Sequence, residues 1–145
     1  MSDNVAPHIT VALDLIARKT LEDETTIGAA FPYVTLPHGS WDTMSVSISA
    51  GYPGENWSHG NWFCGFWVGL LLTSYLHTGD EKYLKLAADR MVLVEERASD
   101  GNTHDIGFIF LSSAMPFYRI TGDARHRATA LRAADKLRSR LVVTE

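Results

Sequence analysis

The sequence predicts an all-α protein made of helical hairpins in two layers, and three observations support this. After residue 60, segments that are apolar nearly all round alternate with segments that are apolar on one face only. Thr-Gly-Asp occurs at 78–80 and again at 121–123, and Gly-Phe occurs at 65–66 and 107–108. The two offsets, 43 and 42 residues, indicate a repeat of stacked helical hairpins. Buried and one-faced helices in alternation predict a ring or superhelix with an inner and an outer layer.

The first 21 residues predict one amphipathic helix. Val5, Ile9, Leu13 and Ile16 fall on a single helical face. Asp3 or Asn4 is available as its N-cap.

Residues 22 to 60 predict a long irregular segment, because glycine and proline interrupt it too often for a helix. Fragments such as "MSVSIS", from residue 44, alternate as a short strand does. Long irregular segments in a compact chain are more often functional than idle.

Two hairpins follow, each with an inner and an outer helix. "NWFCGFWVGLLLTSYLH" and "IGFIFLSSAMPFYRI" are apolar all round and predict helices buried on every side, the second kinked by Pro116. The outer helices carry one apolar stripe each and place their charges elsewhere. The predicted stripes are Leu84, Ala87, Ala88, Met91 and Val92 in the first, and Ala130, Leu131, Ala134, Leu137 and Leu141 in the second. Between helices, Thr-Gly-Asp predicts a glycine that ends one helix and an aspartate that caps the next.

Composition excludes several classes of protein. The 145 residues suffice for one domain with a core, and 46% hydrophobic with 21% charged residues is ordinary for a globular protein. A net charge of -4 argues against nucleic acid or an anionic membrane as partner. The basic residues between Arg125 and Arg140 are interpreted as the solvated face of a helix. No secretory signal or membrane span is evident, so a cytoplasmic location is expected.

Metal and cofactor sites are not expected from the sequence. The six histidines lack metal-ligand spacing. The chain has no phosphate-binding loop and no nucleophile elbow, so no cofactor is predicted. Cys64, the single cysteine, is interpreted as a small buried apolar residue.

A polar and aromatic loop precedes each inner helix: "GENWSHGNW" before the first and "DGNTHDIGF" before the second. If the inner helices line a common axis, both loops open at the same end. Aromatic rings stack on the C–H faces of sugars, and polar groups bind the hydroxyls. The residues expected to gather at this mouth are Trp57, His59, Asn61, Trp62, His104 and Asp105.

Asp105 has two compatible interpretations. By position it is an N-cap for the helix that starts near Ile106. A capping carboxylate lies against the positive end of the helix dipole, which favours its ionised form. Asp105 is therefore better suited to accept hydrogen bonds or hold a charge than to donate a proton.

The residues also resemble a known family. "FPYV", "NWFCGFWVGLLL", "TGDEKYLKLA", "HDIGF" and "ALRAADKLRSR" occur in the order found in unsaturated glucuronyl hydrolases, glycoside hydrolase family 88. The resemblance implies an (α/α)6 barrel, of which residues 1–145 would be an incomplete, N-terminal part. It also implies removal of a 4,5-unsaturated uronic acid from the non-reducing end of oligosaccharides that a polysaccharide lyase has produced.

The chemistry implied by the resemblance is hydration of a vinyl ether. An acid protonates C4, water adds at C5, and the resulting hemiketal opens and expels the next sugar. Asp105, with His104 beside it, matches an aspartate that positions and polarises, and Trp62 matches the tryptophan of the first inner helix. The family's principal acid and base lies in a later segment, so residues 1–145 alone are expected to be inactive. Asn61 and Cys64 depart from the acidic residues often found there.

Other functions stay open at this point. A non-catalytic helical-hairpin module would bind a partner in its groove, and it would end in a polar capping helix that the sequence lacks. A uronate lyase or sugar epimerase on the same fold would use tyrosine or histidine as base, for which Tyr52 and His59 are present. An incomplete ring would also expose the apolar surface of its inner helices, so self-association is expected.

Overall fold

A computed structural model describes residues 6–46 and 62–141 of the chain. In those ranges the elements are α1 (Pro7–Glu24), β1 (Phe31–Thr35), β2 (Trp41–Met44), α2 (Cys64–Thr78), α3 (Glu81–Val94), a 3-10 helix (Glu95–Ser99), α4 (Ile106–Ser112), α5 (Ala114–Thr121) and α6 (Ala124–Arg138). Helices α2, α4 and α5 form an inner layer. Around them, α1 and α3 pack on α2, and α6 packs on α4 and α5.

Helix α1 confirms the first predicted helix but begins later. Its N-cap is Ala6. Pro7, at the first helical position, has no backbone N–H and therefore leaves no donor unsatisfied there. The suggested caps, Asp3 and Asn4, lie outside the described residues. The buried face is centred on Ala17 and Thr20, whereas Ile9 is exposed.

A short antiparallel hairpin replaces part of the predicted irregular segment. Strand β1 pairs with β2 in a register that sets Phe31 opposite Met44. Between them, Gly39 takes a φ of 86° and its N–H donates to the carbonyl of Leu36. The strand expected at "MSVSIS" is therefore confirmed at Met44, which ends β2, and wrong at Ser45 and Val46, which lie outside the strand. The remainder of that motif lies outside the described residues.

The two Thr-Gly-Asp tripeptides have the predicted structure. Gly79 and Gly122 end α2 and α5 in the left-handed conformation, with φ of 70° and 72°. Asp80 and Asp123 then cap α3 and α6 by accepting from the amides of Lys82 and Arg125. Each tripeptide thus reverses the chain from the inner layer to the outer layer.

The second inner helix is interrupted at Ser113 and not at Pro116. Ser113 has φ −118° and ψ −80°, which separates α4 from α5. Pro116 is the third residue of α5. A proline ring clashes with the carbonyl four residues before it, so the break falls upstream of the proline itself.

The inner helices α2 and α4 approach closely at two glycines one turn apart. A Cβ on Gly65 would overlap the backbone of Ile109, and one on Gly69 would lie 2.8 Å from the carbonyl oxygen of Ser112. Side chains at these positions would force the helices apart, so the glycines permit the packing of one hairpin on the next.

The outer helices bury the predicted faces only in part: Ala87 and Met91 are buried as predicted, and other members of the stripes are not. On α3 the buried set is Tyr83, Ala87, Arg90, Met91 and Val94, while Val92 is exposed. The prediction placed arginine on the charged face, yet Arg90 forms a buried ion pair with Glu24 at 2.7 Å. Glu24 also accepts from the indole N–H of Trp67, so α1, α2 and α3 meet at one carboxylate.

The prediction that the inner helices are buried on every side is wrong for the described chain. Phe66, Leu76, Phe108 and Leu111 are exposed. Likewise the predicted stripe of α6 lines an open groove of about 730 Å³ against α4. The described residues supply no second wall over these faces. Within the same residues, no helix has both the length and the apolar character needed to cross a membrane.

Candidate functional site

The starts of α2 and α4 lie together at one end of the inner layer. Trp62 precedes α2, and Asp105 precedes α4. The ring centroids of Trp62 and Phe108 are 5.8 Å apart, and Phe108 lies in the first turn of α4. The structure therefore brings Trp62 against the first turn of α4, the helix that follows the His104–Asp105 pair.

Asp105 has a buried carboxylate with partners on both oxygens. The residue is 5% exposed. The hydroxyl of Thr103 donates to Oδ2 over 3.2 Å and accepts from the amide of Asp105 over 3.0 Å. On the other side, Oδ1 lies 3.2 Å from Nε2 of His104. An ionised carboxylate can only accept, so in that state the proton of the His104 contact is on Nε2.

The capping interpretation of Asp105 is correct in position and wrong in bonding. Asp105 stands at the N-cap of α4, but its side chain makes no hydrogen bond to the first turn of the helix. The carboxylate turns back towards Thr103 and His104, because the Thr103 hydroxyl already engages both its amide and one oxygen. The side chain is thus held by contacts within the loop and not by a capping hydrogen bond.

His104 differs from Asp105 in exposure. Its side chain is 71% exposed, against 7% for that of Asp105. The pair therefore presents an imidazole to the solvent with a carboxylate directly behind it. Such an arrangement can bind a polar group of a ligand through the ring while the carboxylate orients the imidazole.

An aromatic surface flanks this pair. Trp62 contacts Phe66 edge-on at 5.6 Å, and both rings are part-exposed. Phe108 contacts Trp62 and lines the same groove as His104. Exposed rings beside a polar pair are suited to the apolar face and the hydroxyls of a sugar.

Cys64 lies in the first turn of α2 and is fully buried, as predicted. Burial raises the pKa of its thiol to about 12. A thiol that stays protonated is a poor nucleophile and a poor metal ligand. Among the described residues, no cluster of histidine, cysteine and carboxylate side chains could hold a metal ion.

Four of the residues named from the sequence cannot be placed. Trp57, His59 and Asn61 lie outside the described residues, as does Tyr52, the alternative base. Their assignment to the mouth stays a prediction, as do the roles of the residues that are described.

Several residues that support the site were missed. Thr103 falls inside "DGNTHDIGF", and a hydroxyl two residues before an aspartate signals a local turn. Arg97 and Asp100 form a fully buried ion pair at 3.1 Å, although Arg97 was predicted to lie off the apolar stripe of its helix and Asp100 in a polar loop. Arg140, also assigned to a solvated face, donates to the carbonyl oxygens of Gly101 and Thr103. No feature of the sequence distinguishes these arginines from their exposed neighbours.

The two layers of helical hairpins define the class of protein: the described chain is mostly helical, and its fold is that of part of an (α/α)6 barrel, an α/α toroid, as the superpositions below show. No family model matches the chain. It is 37% identical over 83 residues to an unsaturated glucuronyl hydrolase of Bacillus sp. strain GL1, a match that spans 55% of this chain and 22% of the relative. It is 33% identical over 79 residues to an unsaturated chondroitin disaccharide hydrolase of Streptococcus pneumoniae, spanning 52% and 20%.

Solved structures give the same result over more of the chain. A heparin-specific unsaturated glucuronyl hydrolase superposes with a TM-score of 0.71 at 21% identity, covering 90% of this chain and 32% of the other. The Bacillus sp. GL1 enzyme gives a TM-score of 0.65 at 31% identity, covering 89% and 30%. A variant of the Streptococcus agalactiae enzyme, complexed with dGlcA-GalNAc6S, gives 0.65 at 24% identity, covering 92% and 34%. The resemblance to unsaturated glucuronyl hydrolases is confirmed, and the match spans about a fifth of the curated relatives.

Proposed function

We propose that this chain is the part of an unsaturated glucuronyl hydrolase barrel that carries one of two catalytic aspartates, Asp105. The observation that supports this most directly is the buried carboxylate of Asp105, held between Thr103 and His104 beside an exposed aromatic surface. The relatives with 33% to 37% identity carry names of enzymes that hydrolyse unsaturated uronides.

The proposed substrate is an oligosaccharide with a 4,5-unsaturated uronic acid at its non-reducing end. Trp62 and Phe108 would contact a sugar face, and His104 would bind a polar group. Trp57, His59 and Asn61 are proposed as further contacts on the basis of the sequence. One structural neighbour has been solved with such a disaccharide.

In the proposed reaction the C4–C5 double bond is hydrated. A proton adds to C4, water adds to C5, and the hemiketal collapses with release of the next sugar. Asp105 already has partners on both oxygens, so it accepts hydrogen bonds and orients the reacting groups. The principal acid and base is assigned to a part of the enzyme beyond residues 1–145, and those residues alone are proposed to be inactive.

Residues 1–145 are proposed to be the N-terminal part of a single-domain barrel. This part comprises a first helix, the segment 22–60 and two helical hairpins. The exposed inner faces of α2 and α4 support this, because further hairpins would cover them. The cytoplasmic location stays a prediction from the sequence.

We further propose that residues 1–145 in isolation self-associate through the open groove between α4 and α6. The groove is apolar along Leu131 and Leu137 and is lined by Arg119 and Arg127. Helix α1 of a second copy offers exposed Val11 and Leu15 and, between them, the Asp14 carboxylate, which contacts Nε2 of His77 at 2.7 Å but is 67% exposed. Its apolar face and its charge complement the groove.

The experiment that tests the catalytic proposal uses the complete product of the gene that encodes this chain. With an unsaturated chondroitin disaccharide as substrate, the ultraviolet absorbance of the enol ether should decrease with time. Asp105→Asn is expected to reduce kcat by at least about 100-fold, since one carboxylate oxygen becomes an amide. Asp135→Asn, a matched change on the exposed face of α6, should retain the wild-type rate. An unchanged rate in Asp105→Asn would contradict the role given to this residue.

A further inference from the structure

The loop that carries His104 and Asp105 rests on a buried ion pair. Arg97 and Asp100 are joined between Nη2 and Oδ2 over 3.1 Å, and both side chains are 0% exposed. Nη1 of Arg97 also donates to the carbonyl of Val46 over 3.4 Å. The pair therefore lies between the loop and the segment that follows β2.

Stability alone is a weak explanation for this pair. Removing two charges from water is costly, and apolar residues of equal volume often stabilise a fold as well or better. A charged pair does, however, fix a direction, since guanidinium and carboxylate bind in few geometries. The groups bonded to Arg97 and Asp100 indicate which part of the loop the pair orients.

A series of short contacts leads from this pair to the site. Oδ1 of Asp100 accepts from the amide of Asn102 over 2.8 Å, which sets the turn at the start of the loop. The next residue, Thr103, holds Asp105 by its amide and by its carboxylate. From the opposite side, Nη1 of Arg140 binds the carbonyl of Thr103 over 3.0 Å and also that of Gly101. The loop is thus fixed from the core by Asp100 and from the turn after α6 by Arg140.

We propose that Arg97, Asp100 and Arg140 are positioning residues that set the orientation of the Asp105 carboxylate and the His104 ring. They act through Asn102 and Thr103 and touch no substrate. The kinetic part of this inference rests on the proposed function, whereas the structural part does not.

The test compares Asp100→Asn with Asp135→Asn. Both aspartates pair with an arginine three residues away, the first in the core and the second at the surface, at 3.1 and 3.2 Å. Asparagine at position 100 can still accept from Asn102 but loses the ion pair. In residues 1–145, nuclear magnetic resonance should show that the His104 ring and the Asp105 amide shift in Asp100→Asn and stay unchanged in Asp135→Asn.

In the complete gene product, Asp100→Asn should lower kcat about 10- to 100-fold with less than about a threefold change in KM, because a displacement near 1 Å can have that effect on a positioned group. Arg140→Ala should show a smaller decrease, Arg140→Lys should restore part of it, and Arg138→Ala should show none. If Asp100→Asn does not fold, the Arg140 series decides the question, because Arg140 is exposed.

The inference is overturned if the folded variants keep the His104 and Asp105 resonances and the wild-type kcat while only their unfolding temperature decreases. If the wild-type gene product does not hydrolyse the disaccharide but the resonances shift as expected, the proposed function is wrong and the positioning role remains.

Discussion

At the scale of single residues, burial decides what each charged or reactive group can do. Asp105 and His104 are adjacent in sequence, yet one is enclosed and the other is open to solvent. Arg90 and Arg97 are buried with carboxylate partners, while Arg18 and Arg138 have similar partners at the surface. An arginine–carboxylate pair is therefore part of the core at Arg90 and Arg97, and part of the solvated surface at Arg18 and Arg138.

Cys64 gives a prediction about alkaline pH. Its folded pKa of about 12 lies above the value near 8.5 of an unfolded thiol. The contribution of the thiol to stability is therefore complete below about pH 8.5 and is lost as the pH rises towards 12. We expect the free energy of unfolding to decrease more steeply between pH 8 and 10 in the wild type than in Cys64→Ala. Denaturant titrations at each pH would measure this, and parallel slopes would contradict it.

The Glu24–Arg90 pair gives a second prediction at this scale. In Glu24→Gln the buried guanidinium loses its counter-ion, so a loss of about 3–5 kcal/mol in unfolding free energy is expected. Asp89→Asn, which removes the exposed Lys85 pair, should cost less than about 1 kcal/mol. Chemical denaturation followed by circular dichroism compares the two, and equal losses would show that the burial of Glu24 has no special effect.

At the scale of elements, small residues at helix ends and crossings determine how the hairpins stack. Gly79 and Gly122 reverse the chain, and Asp80 and Asp123 start the outer helices. Gly65 and Gly69 let α2 and α4 approach closely enough to place Trp62 beside Phe108. The mouth of the site therefore depends on a helix crossing as well as on its own loops.

Gly65→Ala tests that dependence. The added methyl group would overlap the backbone of Ile109, so we expect a loss of about 1–3 kcal/mol in stability and a changed Trp62 environment. Gly107→Ala is the control, because its nearest neighbour is a Leu137 methyl carbon at 3.7 Å and alanine favours a helix. Unfolding and tryptophan fluorescence would be measured on both variants. A stable Gly65→Ala protein with unchanged fluorescence would contradict the dependence of the Trp62 environment on the close approach of α2 and α4.

At the scale of the whole molecule, the described chain is an open portion of a ring. Its inner helices have one face against the outer layer and another face uncovered by any described residue. The groove between α4 and α6, of about 730 Å³, bears on the candidate site because His104 is one of the residues that line it. Surface of this kind favours association.

Self-association of residues 1–145 is therefore expected to depend on concentration. Sedimentation velocity should detect dimers or larger species, and Leu131→Glu should shift the population towards the monomer by placing a charge in the groove. Val92→Glu, at an exposed apolar position of α3, serves as the control. A wild-type chain that remains monomeric throughout would contradict the proposal.

The sequence by itself determined the hairpin architecture. Thr-Gly-Asp specifies a left-handed glycine and a capping aspartate through local bonds, so its structure followed from three residues. The apolar character of the inner helices and the polar loops before them likewise predicted the layers. "HDIGF" indicated the site because the resemblance is contained in a short motif.

The tertiary structure alone decided which faces are buried and how the site is held. Arg97 and Arg140 are indistinguishable in sequence from solvated arginines, since their partners depend on where distant segments meet. Asp105 occupies the predicted cap position, but its carboxylate contacts Thr103 and His104 and not the first turn of α4. Local helix propensity does not predict which of these partners the carboxylate binds. The exposure of one face of α2 and of α4 likewise depends on which distant segments pack against these helices. Hydrophobic periodicity indicates that a surface requires a partner, and only the packed structure shows whether one is present.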